Sequence, residues 1–248
     1  MNPFKKSNKQ VSIFTTAGFP NRDSLSKQIG LFNETGIDFI EVGIPFSDPL
    51  ADGPVIQETS AIAIQNGITI DGIFEQLSAI DTSIPVVLMG YINPVMNYGF
   101  ERFLQKASEF KVAGLILPDM SVEIYERYYQ ALFKKYQVNP IFLITPKTEE
   151  SRIRKVAEIC ANSFVYLVSS NSTTGSNTEV SLGDEVLRIK SICGKTPLMI
   201  GFGIKNRETV ERLGNYADGV IIGSAFLKAV MQESERTFLE EITSSCLQ

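Results

Sequence analysis

The run Pro140-Ile141-Phe142-Leu143-Ile144 decides how the rest of the chain is read. Its apolar residues follow one another without alternation. A strand of that kind needs cover on both faces, as in a parallel sheet flanked by helices. Working outward, seven more short apolar runs occur at residues 11–16, 39–43, 85–90, 114–117, 164–168, 197–201 and 219–222. Amphipathic stretches separate them. Tyr125, Tyr128, Tyr129, Leu132, Phe133 and Tyr136 recur at three-to-four spacing and predict one apolar helix face. Leu25, Ile29 and Phe32 do the same, preceded by Asn21 as a candidate cap. Eight strand-like runs, each followed by helical sequence, predict an α/β fold, and in a chain of 248 residues a single (β/α)8 TIM barrel. A doubly wound open sheet is the competing parallel arrangement. No Pro/Gly/Ser-rich linker divides the chain, so residues 1–248 are read as one domain.

Composition narrows the chemistry. The chain has no histidine, which excludes histidine metal sites, Ser-His-Asp triads and an imidazole base. Acid–base work must fall to Asp, Glu, Lys, Tyr or Cys. The net charge of −5 argues against a nucleic-acid surface. Cys160, Cys193 and Cys246 are odd in number, far apart and form no CxxC, as expected of reduced thiols in a cytoplasmic protein. Residues 1–10 lack the apolar core of a secretory signal, and no apolar run approaches the ~20 residues of a membrane helix.

In a barrel the active site lies where strands end and βα loops begin. Two groups of residues stand there. Gly201-Phe202-Gly203-Ile204 follows the seventh run, and Gly223-Ser224-Ala225 follows the eighth and opens a helix. Glycine turns there bring backbone N–H groups against a phosphate, and a helix N-terminus adds donors and partial positive charge. Ser224 can add its hydroxyl, and Thr174-Gly175 after the sixth run is a third contributor. The second group is acidic. Glu41 is the one charged residue in Phe39-Ile40-Glu41-Val42-Gly43, where burial raises a carboxyl pKa toward neutrality. Asp52 follows eleven residues later in a loop stiffened by Pro45, Pro49 and Pro54. Two carboxyls on one rim, opposite a phosphate cradle, point to acid–base chemistry on a phosphorylated small molecule.

The stretch Ile40-Glu41-Val42-Gly43-Ile44-Pro45-Phe46-Ser47-Asp48-Pro49-Leu50-Ala51-Asp52-Gly53-Pro54-Val55-Ile56-Gln57 resembles the signature of the tryptophan synthase α-subunit family. Agreement continues in Phe14-Thr15-Thr16-Ala17-Gly18, Met89-Gly90-Tyr91-Ile92-Asn93-Pro94, Leu117-Pro118-Asp119 and both glycine turns. The resemblance implies a barrel that cleaves indole-3-glycerol phosphate to indole and glyceraldehyde 3-phosphate. It implies a partner, a PLP-dependent β subunit in an α2β2 heterotetramer, and no cofactor in this chain. By the same resemblance Glu41 and Asp52 are the catalytic pair, and Tyr166 orients the glutamate. Phe14, Tyr91, Ile116 and Phe202 pack around indole and glycerol. Gly175, Gly203, Gly223 and Ser224 hold phosphate, and Thr174 contacts Asp52 when the loop 169–175 closes as a lid. Residues 45–54 and 93–97 match regions that face the β subunit, with Asp48 a candidate ion-pair partner. The lid departs from the family pattern: Ser170, Asn171, Ser172 and Thr173 replace Arg, Ser, Gly and Val. That departure motivates an alternative, a catalytically weak subunit that mainly activates its partner.

Overall fold

The computed structural model describes residues 2–79, 83–168 and 179–244. Eight strands close on themselves in sequence order, each parallel to its neighbours. They are β1 (Gln10–Thr16), β2 (Phe39–Gly43), β3 (Val86–Met89), β4 (Gly114–Ile116), β5 (Pro140–Ile144), β6 (Val165–Leu167), β7 (Leu198–Ile200) and β8 (Gly219–Ile222). Each apolar run of the sequence is one of these strands, with ends that agree to within one residue. The open-sheet alternative is excluded because β1 pairs with both β2 and β8.

Register decides which side chains enter the barrel. Phe14 lies beside Glu41, and Glu41 beside Val87. Leu143 lies beside Tyr166, and Tyr166 beside Met199. Side chains alternate along a strand, so Phe39 and Phe164, two residues before Glu41 and Tyr166, point inward one layer lower. There Phe4, fully buried, packs edge-on against both, with centroids at 5.2 and 5.0 Å. Burying such a ring contributes about 1.5–3 kcal/mol. The N-terminal segment thus plugs the bottom of the barrel and leaves the cavity at the strand ends.

Two local expectations change. The helix Ser24–Thr35 begins after Asp23, not Asn21. The Asn21 N–H donates to Ser24 Oγ at 3.0 Å, forming a turn instead of a cap. Leu25, Ile29 and Phe32 do form its buried face. The tyrosine-rich helix is interrupted by a π-helical turn, Tyr125–Tyr129. Its wider turn breaks the 3.6-residue spacing. Tyr125 and Phe133 stay buried while Tyr128 is 59% exposed. Cys160 and Cys193 are free and buried, and burial pushes their thiols up to about 12 and about 11, which makes them chemically quiet. Cys246 lies outside the described residues. Among the described residues, no helix is long and apolar enough to cross a membrane.

Candidate active site

Glu41 is the sole charged group on the inner wall of β2, and it is fully buried. Among the described residues, neither carboxyl oxygen has a hydrogen-bond partner. Loss of solvation pushes its pKa up to about 8, and the nearby Asp52 charge adds to the rise. Glu41 therefore carries a proton at neutral pH and lines the cavity into which it can deliver that proton.

Asp52 reaches the same cavity from the β2 loop. Gly53 is the N-cap and Pro54 the first residue of the helix Pro54–Gln65, so the loop ends on a fixed backbone. The Asp52 N–H donates to Pro49 O at 3.0 Å, and Gln57 Nε2 donates to Asp52 O at 2.9 Å. Burial raises the Asp52 pKa, and the Tyr91 hydroxyl, which donates to Oδ2 at 3.0 Å, opposes that rise. The same hydroxyl accepts from Ala51 N at 2.9 Å. Both carboxyls line a cavity of about 360 Å³ with Phe14, Tyr166, Phe202, Gly223 and Ser224.

Aromatic walls occupy space that glycines leave open. A Cβ at Gly43 would meet Phe14 Cζ at 2.5 Å, and one at Gly201 would meet Tyr166 Cε2 at 2.1 Å. Tyr166 is buried, and its hydroxyl pKa is raised well above 10, first by burial and then by the Glu41 and Asp52 charges. It shares the cavity wall with Glu41 but makes no hydrogen bond to it, since both glutamate oxygens are unpartnered.

The glycine turns meet on the other side. Gly203 has a φ of +71°, a conformation side chains rarely adopt, and the following Lys205 N–H donates to Thr209 Oγ1 at 2.9 Å. Gly223 is the N-cap of the helix Ser224–Met231. Gly203, Gly223 and Ser224 line a groove of about 610 Å³, which shares Gly201, Phe202, Gly223 and Ser224 with the cavity of the two carboxyls.

Most of the expected residues that are described converge there, with two exceptions. Tyr91 is not on the wall of the main cavity. It stands behind Asp52, in a crevice of about 20 Å³ shared with Phe14 and Met89. Ile116 points inward beside Met89 and Ile141 but is fully buried and does not line the cavity. Pro118, two residues on, lines the cavity in its place. Thr174 and Gly175, with the whole loop 169–175, lie outside the described residues. Sequence reasoning missed Ala51, Gly53, Ile56, Met89, Leu143 and Val168 as lining residues. All but Ile56 were legible as residues at or just past a strand end or beside Asp52. Ile56 sits on the first turn of a helix that only folding brings over the cavity.

Fold and cavity together define the class: a (β/α)8 barrel with two carboxyls, Glu41 and Asp52, on one cavity wall and two glycine turns at its strand-end rim. The family model described as tryptophan synthase alpha chain matches residues 2–247. The tryptophan synthase alpha chain of Christiangramia forsetii is 44% identical over 232 residues, spanning 91% of this chain and 90% of that one. That of Flavobacterium johnsoniae is 45% identical over 224 residues, spanning 89% and 88%. The solved tryptophan synthase subunit alpha from Campylobacter jejuni superimposes with a TM-score of 0.86 at 33% identity, covering 96% of this chain and 97% of that one. The chain belongs to the tryptophan synthase alpha chain family.

Proposed function

We propose that this chain cleaves indole-3-glycerol phosphate to indole and glyceraldehyde 3-phosphate by a retro-aldol reaction. The observation that carries the reading is Glu41: a fully buried carboxyl with a pKa pushed to about 8, on the wall of the cavity that also holds Asp52. Glu41 donates its proton to indole C3. The ring then carries positive charge, and an ionised Asp52 at the indole N–H stabilises it. The Glu41 carboxylate next accepts the proton of the side-chain hydroxyl. That oxygen forms the aldehyde carbonyl, the carbon–carbon bond breaks, and its electron pair returns to the ring as indole. Glu41 ends protonated, as it began. Positioned proton transfer of this kind contributes about 10²–10⁴ in rate.

Phosphate is held by the backbone at Gly203, Gly223 and Ser224, with Gly175 and Thr174 contributing from the loop 169–175. Gly223 supports this assignment in a particular way. Among the described residues the nearest atoms a Cβ there would meet belong to Phe14, from 3.6 Å, and its φ is negative, so packing does not require glycine. Close approach of a ligand does. Phe14, Tyr166 and Phe202 enclose the indole and glycerol parts.

The partner is a β subunit carrying PLP, in a heterotetramer, with this chain needing no cofactor of its own. Leu50, 91% exposed, and Met96, 49% exposed, lie on the two segments proposed to face it. Asp48 is exposed and is met by the Ser47 hydroxyl, which leaves it accessible to a partner's cation. The deciding experiment measures indole released from indole-3-glycerol phosphate, with and without the β subunit. Turnover that disappears in Glu41→Gln supports the lyase. Absent turnover together with stimulation of the β subunit would establish the alternative, an activating subunit.

A further inference from the structure

The short helix Ile92–Tyr98 starts without a cap of its own: its N-cap residue, Tyr91, makes no side-chain capping bond. The missing acceptor comes from another loop. Asp119, in the turn after β4, accepts from the Ile92 N–H with both carboxylate oxygens, at 2.9 and 3.1 Å. Immediately before that N–H, the Tyr91 side chain turns to the β2 loop. Its hydroxyl accepts from Ala51 N at 2.9 Å and donates to Asp52 Oδ2 at 3.0 Å. The ring is steadied by Phe46, with centroids 5.3 Å apart. Three consecutive βα loops are thus joined in a line: Asp119, the helix start at Tyr91-Ile92, and Asp52.

We infer that Asp119 is a positioning residue for Asp52, acting through the start of the helix Ile92–Tyr98 and the Tyr91 hydroxyl. The physical step is short. A helix N-terminus leaves its first N–H groups without intrahelical partners, and a side-chain acceptor there orders the first turn. With Asp119 in place, the backbone at Tyr91 has one direction, and so does the phenol that holds Asp52. Without it, the first turn frays into water, and Asp52 loses its fixed donor. The inference rests on the catalytic reading of Asp52, and the test separates the two.

The experiment uses the full chain with its cognate β subunit and follows indole release from indole-3-glycerol phosphate. Melting curves on each variant set an assay temperature at which the protein is folded. Asp119→Ala lowers kcat about five- to tenfold, the size a capping interaction commands. KM moves less than about twofold, because the loss falls on the reacting centre and not on phosphate binding. Asp119→Asn keeps an acceptor oxygen and recovers most of the loss. Tyr91→Phe lowers kcat as well, and the double variant is no worse than the poorer single, since both act on one contact. Wild-type kcat in Asp119→Ala, or losses in Asp119→Ala and Tyr91→Phe that multiply, overturn the inference. Asp52→Asn is the separate control. If it abolishes turnover while Asp119→Ala changes nothing, the inference alone fails. If Asp52→Asn keeps full turnover, the catalytic reading of Asp52 falls, and the inference with it.

Discussion

Tyr166 lies over Gly201 so closely that a Cβ at Gly201 would stand 2.1 Å from Cε2 and 2.2 Å from the hydroxyl oxygen. The two residues lie on neighbouring strand ends, and the ring takes the volume the glycine vacates. Gly201→Ala must therefore push the Tyr166 ring into the cavity beside Glu41. We expect a stability loss of about 1–3 kcal/mol from overpacking. The kcat for indole release should fall by at least about tenfold, since small misplacements at a reacting centre are costly. Denaturant unfolding and steady-state kinetics check both. Unchanged kcat would mean that the tyrosine does not shape the reacting end of the cavity.

Glu41 places a cost on stability that depends on pH. Its folded pKa is about 8, above the value of 4.5 it has when exposed. Between those values the folded chain keeps a proton that the unfolded chain releases. Its contribution to stability is therefore fully present below about pH 4.5 and is lost as pH rises to about 8. Glu41→Gln cannot ionise. We expect its stability advantage over wild type to grow across that window by a few kcal/mol and then level off. Urea unfolding of both proteins at pH 5 and pH 8.5, roughly the two ends of the window, measures the difference. Parallel stability curves would show that Glu41 titrates normally.

The rate should follow the same proton. Proton donation needs neutral Glu41, so kcat/KM should decline above about pH 8. Asp52 acts ionised, and burial raises its pKa, so the acid limb should lie above the ordinary aspartate value of 3.8. The Asp52 charge also raises the pKa of Glu41. Asp52→Asn should therefore let Glu41 ionise at lower pH, a shift that carbon-13 NMR of labelled glutamate reads directly. A Glu41 resonance that does not move would separate the two carboxyls electrostatically.

Substitution at Gly223 tests the phosphate assignment without a packing penalty. Gly223→Ala meets only ordinary contacts with Phe14 and should keep the melting temperature of the wild type. It should still raise KM, because its methyl group stands where the phosphate approaches. Gly223→Asp should raise KM further, because an anion then faces the phosphate; like charges near the surface repel by about 1–4 kcal/mol at this range. Wild-type KM in a folded Gly223→Asp protein would remove Gly223 from the phosphate site.

The barrel was legible in the sequence because its cause is local. A strand covered on both faces must be apolar at nearly every position, and eight such runs separated by helical periodicity leave few ways to close a sheet. Glu41 was legible for the same reason, as a charge where a strand tolerates none. Asp52 was readable as a stiff-loop acid beside a glycine, and the two glycine turns by their place after the last strands. Tertiary structure alone decided what those residues do to each other. Strand register puts Phe14 and Val87 on either side of Glu41, and burial among them, not its sequence neighbours, moves its pKa to about 8. The family resemblance makes Tyr91 a lining aromatic, yet its hydroxyl bonds a residue 39 positions earlier and stands behind Asp52. Ile116 is closed off from the cavity by packing, and Pro118 lines it instead. Hydrophobic pattern is a property of neighbours along the chain, whereas distances between loops and the solvation of a carboxyl exist only once the sheet has closed.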